Sequence, residues 1–216
     1  FLRGSRAACA AFQDRRHPVS VSGIRFEVAA IPGDLGYIHE CVIEGVYVSV
    51  SSFVPRPGDT CVDIGANIGS CALRWHRDNP TGRILCFEPH PGIYKRLAKN
   101  IALNSASRIE TFPWALSDHD GPVEMFTDES SMIMRDRPFP RGSGELVQAH
   151  ALDHVVQTLG ISSIDICKID VEGHEIRVLE GARRSLGRIK RLVVECHSPG
   201  LRRAAKDMLE PSFKVV

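Results

Sequence analysis

Five short apolar runs alternate along this chain with stretches of helical period, and that alternation leaves few folds open. The runs are TCVDIG at 60–65, RILCFEP at 83–89, IETFPWAL at 109–116, IDICKID at 164–170 and RLVVECH at 191–197. They are too short for helices and lack the regular polar alternation of half-solvated strands, so they read as strands buried on both faces. Between them the periodicity predicts helices over about 69–78, 91–104, 173–186 and 200–210. In HPGIYKRLAKNIALN, Ile93, Leu97 and Ile101 share one stripe, and Lys95, Arg96 and Lys99 are expected to face away. The fold class that follows is α/β: a mostly parallel central sheet with helices on both faces.

Length and charge bound the rest. A chain of 216 residues suits one domain with a real core. Residues 1–54 form an N-terminal extension whose strands (VSVSGIRFEVAAI, VYVSVSSF) pack on a core running from the PRPGD turn, 55–216. PVEMFT and ELVQAHAL add strands around the loop DESSMIMRDRPFPRGSG, which is expected to act as a lid over residues 128–144. A net charge of +1 provides no global field for nucleic acid or an anionic membrane, so neither is expected as a partner. Self-association is left open. Seven cysteines include no CxxC pair, and Cys61, Cys86, Cys167 and Cys196 sit in the strand runs. That pattern predicts no metal and a reducing, cytoplasmic setting. No apolar run approaches the ~18 residues of a membrane span. The sequence starts at Phe1, so a trimmed N-terminus is expected.

In an open parallel sheet, ligands bind beyond the carboxyl ends of the strands. KIDVEGHE, 168–175, places Lys168, Asp170, Glu172, His174 and Glu175 at such an end. Gly65, Glu88 and His197 end other strands. DIGANIGS, 63–70, combines a strand, a glycine turn and a helix start. It is not the dinucleotide fingerprint, which would need glycines where Asn67 and Ser70 stand, and Asp63 disfavours a pyrophosphate. Glu88 suits a bidentate bond to a ribose diol. A nucleoside with a zwitterionic or cationic tail fits these residues, and S-adenosylmethionine is such a ligand.

VDIGANIGSCAL, CFEPHPGIYKRLAKNIALN, ALSD, IDICKIDVEGHEIRVLEGA and LVVECH occur in the order and spacing of the FkbM-type S-adenosylmethionine-dependent methyltransferases, which this chain resembles over about residues 55–200. The resemblance implies a Rossmann-like class I methyltransferase fold and O-methylation of a small molecule, natural product or sugar. It further implies that Asp63, Gly65, Ala66, Asn67, Gly69 and Ser70 line the methionine moiety and that Glu88 holds the ribose. Pro89 and His90 would flank the adenosine, Trp114, Ala115 and Leu116 would approach the adenine, and Asp170 and Glu172 would sit beside the reacting methyl and the donor's amino group. Such folds close with two further strands after the last helix. Only FKVV remains here, so a missing C-terminal strand or a shortened sheet is expected.

A neutral alcohol must lose a proton during transfer, which calls for a base. Asp170, Glu172 and His197 are the catalytic candidates. His197 is favoured by its intrinsic pKa, and a strand-end hydrogen-bonding role is its bland alternative. His174 fits a helix start better. Lys168 alternates with Asp170 and would pair with a carboxylate of the crevice. His174, Glu175, Glu195 and His197 offer metal-ligand chemistry but no compact spacing. Three other functions are weighed against O-methylation. Nucleic-acid amino-methylases typically resemble one another in (D/N)PP(Y/F) after the fourth strand, where KIDVEG stands here. A donor-binding scaffold without turnover would not need the full acid set, and a dehydrogenase would need the missing glycine.

Overall fold

The computed structural model describes residues 16–29, 32–127, 132–134 and 145–214. Its centre is a five-stranded, fully parallel sheet of β3 (Thr60–Ile64), β4 (Arg83–Phe87), β5 (Ile109–Phe112), β10 (Ile166–Ile169) and β11 (Leu192–Val194), in spatial order β11-β10-β3-β4-β5. The chain leaves β3 toward β4 and β5, then returns to β3's other side for β10 and β11. The order therefore reverses between β3 and β10, which is where such sheets open a crevice.

Period-two alternation sends each strand's side chains to two separate cores. Cys61, Ile84, Cys86 and Ile166 meet Leu73 and Trp75 of α2 (Ser70–Asp78) and Leu97 and Ile101 of α3 (Pro91–Leu103). Val62, Ile64, Leu85, Phe87 and Ile169 meet the opposite helices: α4 (Leu152–Thr158), α5 (Glu175–Gly181) and α6 (Pro199–Leu209). The helical periods anticipate α2, α3 and α6 closely, whereas α5 is shorter than 173–186 and continues as turns and a 3₁₀ turn at Leu186–Arg188. The valine-rich α4 escapes a periodicity reading because β-branched residues mimic a strand.

Some expectations for the flanking segments hold and others need correction. VSVSGIRFEVAAI is the hairpin β1 (Arg16–Val21) and β2 (Ile24–Ala29), turned at Ser22 and Gly23, both with positive φ (49° and 81°). VYVSVSSF is not a strand. Helix α1 (Pro32–Ile38) runs into a π-helical turn at His39–Glu44, which Gly45 (φ 65°) ends, and 3₁₀ turns follow at Val46–Val48 and Ser51–Phe53. The alternating valines look like a strand, but Ser49 Oγ donates to the Val46 carbonyl at 2.8 Å and favours a turn. IETFPWAL is split at Pro113, which cannot donate to a ladder: β5 stays in the parallel sheet and β6 (Ala115–Ser117) enters a second one. That sheet, ordered β6-β9-β7-β8, contains β7 (Gly121–Thr127), β8 (Met132–Met134) and β9 (Glu145–Ala151). Apart from β8, the proposed lid at 128–144 lies outside the described residues. Arg96 does not face solvent; it is buried in an ion pair with Asp34 that fastens α1 to α3.

Candidate active site

The tightest point of the fold lies at the end of β3. Gly65 has φ 79°, and a Cβ there would lie 1.8 Å from the Asp170 carbonyl oxygen, so only glycine fits between β3 and β10. The Gly65 and Ala66 N–H groups both donate to the Phe87 carbonyl at 3.0 Å, which turns the loop across β4. Asn67 (φ 49°) then directs its N–H to Glu88 Oε2 at 3.0 Å. The other oxygen of Glu88 accepts the His90 N–H at 2.9 Å.

A crevice opens here, where the strand order reverses. Gly65, Ala66, Asn67 and Ser70 line it after β3, Glu88 and Pro89 after β4, Trp114, Ala115 and Leu116 at β6, and Asp170 and Glu172 after β10. Phe87 also lines the crevice, and both it and Trp114 pack on Phe112, with ring centroids 5.2 and 4.7 Å from it.

Four of the sequence-predicted residues do not line the crevice. Asp63 is fully buried beneath it. A Cβ on Gly69 would come within 2.8 Å of Leu97 Cδ1, so Gly69 serves α2–α3 packing. His90 caps α3, its Nδ1 accepting the Gly92 and Ile93 N–H groups at 3.1 and 3.2 Å. His197 lies behind Asp170, their nearest N and O atoms 3.7 Å apart. His174 is buried, with Nε2 3.0 Å from Ser117 Oγ, and so turns toward β6. Sequence reasoning missed Tyr37, Glu40, Cys41 and Tyr47, which α1 and the turns after it contribute to the crevice wall. No motif marks them; the only signal is that two of the chain's three tyrosines fall in this segment.

Two electrostatic layers stack here. Below, Lys168 Nζ donates to Asp63 Oδ1 at 3.1 Å and to the Gly65 carbonyl at 3.0 Å, and lies 3.4 Å from Asp170 Oδ2. Burial alone would lower the Lys168 pKa, but Asp63 and Asp170 outweigh it and hold the ammonium charged. Above, Tyr47 Oη donates to Asp170 Oδ2 at 3.0 Å and also pairs with Glu195 Oε2. Burial, then Asp170 and Glu195, raise the Tyr47 pKa, so it remains a phenol. Burial pushes the Cys41 thiol up to about 12, which removes it as a nucleophile. Glu88 is pushed up to about 7 by burial, against the two N–H groups it accepts.

Asp170, Glu172 and His197 each bring one oxygen or nitrogen within 4.8 Å of the others', a proximity hidden by their sequence spacing. Glu172 is raised by burial, with His197 opposing and Asp170 reinforcing the shift. His197 is raised as well: burial lowers it, but its bond to Glu175 and the charge of Glu172 prevail.

A crevice at the reversal of a parallel sheet, with an acid ending the second strand and carboxylates where a pyrophosphate would need N–H donors, defines a class I methyltransferase. The methyltransferase FkbM domain matches residues 63–210, and the chain belongs to that family. It is 28% identical over 194 residues to the 2-O-methyltransferase NoeI of Sinorhizobium fredii, covering 79% of each chain. It is 29% identical over 175 residues to the 31-O-demethyl-FK506 methyltransferase FkbM of Streptomyces tacrolimicus, covering 66% of each. Among solved structures, an S-adenosylmethionine-dependent methyltransferase from Agrobacterium tumefaciens shares the fold at TM-score 0.51 and 11% identity, over 90% of this chain and 58% of that one. The protein is thus an S-adenosylmethionine-dependent O-methyltransferase. Among the described residues, no helix is long and apolar enough to cross a membrane.

Proposed function

We propose that the chain methylates a hydroxyl of a small-molecule acceptor, a sugar or a natural product, and that the crevice divides into a donor end and an acceptor end. The observation that carries this reading is that one pocket is lined by both Glu88, which follows β4, and Asp170, which follows β10, the two strands that flank β3. The crevice suits the donor: Ser70 Oγ is buried in its wall without a partner among the described residues, and the lack of room at Gly65 keeps the backbone close to whatever fills it.

Bound S-adenosylmethionine supplies an electrophilic methyl for in-line attack by a hydroxyl oxygen. Glu88 accepts from the ribose hydroxyls, while Pro89, Trp114, Ala115 and Leu116 enclose the adenine. Gly65, Ala66, Asn67 and Ser70 hold the methionine tail, and Asp170 meets its ammonium. Asp63, Gly69 and His90 act through others, by fixing Lys168, the α2–α3 contact and the loop after Glu88. At the acceptor end, Glu172, whose Oε2 lies 3.4 Å from His197 Nε2, takes up the hydroxyl proton, and Tyr37 and Tyr47 exclude water.

The mouth is acidic, with Glu40, Asp170, Glu172 and Glu195 close together, which disfavours a nucleic-acid acceptor. The six described cysteines are all free and four are buried, which suits a reducing compartment such as the cytoplasm. Calorimetric titration with S-adenosylhomocysteine, with NAD(H) as control, tests the donor end, and transfer of labelled methyl to a panel of sugars and polyketides tests the acceptor end. Asp170→Ala is expected to lose donor binding; wild-type binding in that variant would refute the assignment.

A further inference from the structure

We propose that Glu175 is a positioning residue for methyl transfer: it fixes the ring of His197 so that Nε2 receives the acceptor's proton from Glu172. The inference rests on the O-methyltransferase reading for its role, and on geometry alone for the arrangement of the three side chains.

Glu175 opens α5 and is fully buried. Its Oε1 lies 2.8 Å from His197 Nδ1 and accepts the Gly173 N–H at 2.9 Å, while Oε2 has no partner among the described residues. The Gly173 N–H needs only a neutral acceptor, and burying a carboxylate to satisfy it is costly. What the carboxylate adds is a demand on His197: being acceptor-only, it requires the proton on Nδ1 and leaves the lone pair of the neutral ring on Nε2. A buried carboxylate fixes the tautomer and orientation of a catalytic imidazole in the same way in hydrolase triads.

Nε2 faces acids from two strand ends: Glu172 Oε2 at 3.4 Å and Asp170 Oδ1 at 3.7 Å after β10, and Glu195 Oε1 at 3.9 Å after β11. Asp170 and Glu195 each have their other oxygen bonded to Tyr47, and Asp170 also meets Lys168. Glu172 makes no such bond among the described residues, and it lines the crevice. It is therefore the carboxylate able to carry a proton from the crevice to the ring, over a gap typical of such contacts before substrate binds. The backbone accepts strain to arrange this. Glu172 has φ 51°, a left-handed conformation costly for a residue other than glycine, and Gly173 follows at φ 102°. That turn places Glu172 at the Nε2 side of the ring and Glu175 at the Nδ1 side.

During transfer the acceptor O–H bond breaks as its oxygen bonds to the methyl carbon, and the electron pair of the broken S–C bond stays on sulfur. The proton passes to the Glu172 carboxylate and then to Nε2. The imidazolium is stabilised by Glu175 and Glu172, and its side chain, 27% exposed, returns the proton to water.

The test is ¹⁵N magnetic resonance of the histidine-labelled full chain, with the His197 signals assigned by their loss in His197→Ala. At alkaline pH the neutral ring should carry its proton on Nδ1. Glu175→Gln keeps an acceptor for the Gly173 N–H but should abolish this preference, and His197 should titrate at lower pH than in wild type. Methyl transfer to the best acceptor of the sugar and polyketide panel should fall about 100-fold or more in kcat, with KM and S-adenosylhomocysteine affinity within about threefold. Should Glu175→Gln fail to fold, the wild-type tautomer decides, together with Glu172→Gln, in which His197 should also titrate lower. A wild-type ring protonated on Nε2, an unchanged His197 titration in either variant, or equal falls in kcat and donor affinity would overturn the proposal. Failure of S-adenosylhomocysteine to bind the wild type counts against the donor site instead, and the tautomer is judged without it.

Discussion

Replacing Glu88 by Gln should make this protein more stable at mildly alkaline pH while weakening its hold on the donor. Glu88 is buried, and its carboxyl is raised from 4.5 to about 7 by that burial, with the His90 and Asn67 N–H groups opposing. The unfolded chain loses this proton near 4.5 and the folded chain near 7, so between those values the folded state binds more protons. Stability therefore falls as pH rises through the window, by about 3 kcal/mol in all. Glutamine does not titrate. Below the window, a protonated Glu88 and a glutamine present similar groups to the two N–H donors, and the proteins should unfold at similar urea concentrations. At pH 8 the variant should be ahead by about 3 kcal/mol, which for a chain this size is roughly 6–12 °C in Tm. Donor affinity should move the other way, falling about 10- to 100-fold because the charge-assisted bonds to the diol are lost. Urea unfolding at pH 5 and pH 8 and calorimetry at pH 8 decide the matter. A stability difference that is the same at both pH values refutes the buried, late-ionising carboxyl; unaltered donor affinity refutes the diol contact.

Lys168→Met leaves Asp63 buried with no cation within 4.0 Å among the described residues and frees the Gly65 carbonyl, so we expect a loss of about 3–5 kcal/mol, read from the urea midpoint at pH 7; an unchanged midpoint would show that the pair contributes nothing. Tyr47→Phe removes the hydroxyl that joins Asp170 to Glu195. Acceptor turnover should fall by roughly tenfold or more with S-adenosylhomocysteine affinity within about threefold, and equal losses in both would place Tyr47 at the donor end instead.

The parallel core was legible because its strands are buried on both faces, which writes them as continuous apolar runs, and because Gly65, Glu88 and Asp170 end those runs. What stayed hidden is whatever depends on contacts between distant segments. Arg96 sits among lysines on a helix that looks solvent-facing, yet Asp34 draws it inside. Tyr47 occupies a valine-rich stretch with strand period, yet Gly45 and Ser49 fold that stretch into turns and deliver the phenol to Asp170, 123 positions further along. The sequence offers His197 as a candidate base, and only the return of the chain through Gly173 and Glu175 shows which nitrogen is tied and which faces the carboxylates.

The two charge layers explain why one strand end holds so many ionisable groups without unfolding the protein. Burying a charge is tolerated only when it is paired, and the lower layer obeys this: Lys168 is matched to Asp63 and bonded to a backbone carbonyl. The upper layer does not. Its carboxylates remain partly exposed, with side-chain accessibilities of 20% for Asp170, 35% for Glu172 and 40% for Glu195, so water offsets part of their mutual repulsion. An excess of negative charge at a crevice mouth destabilises the empty protein modestly and is relieved by a cation, whether a sulfonium, an ammonium or a metal ion. Lys168 relieves it only at Asp170, because its bonds go to Asp63 and the Gly65 carbonyl and no other upper-layer carboxylate is in reach. The lower layer is therefore the part the fold requires, and the upper layer is left for what the crevice binds.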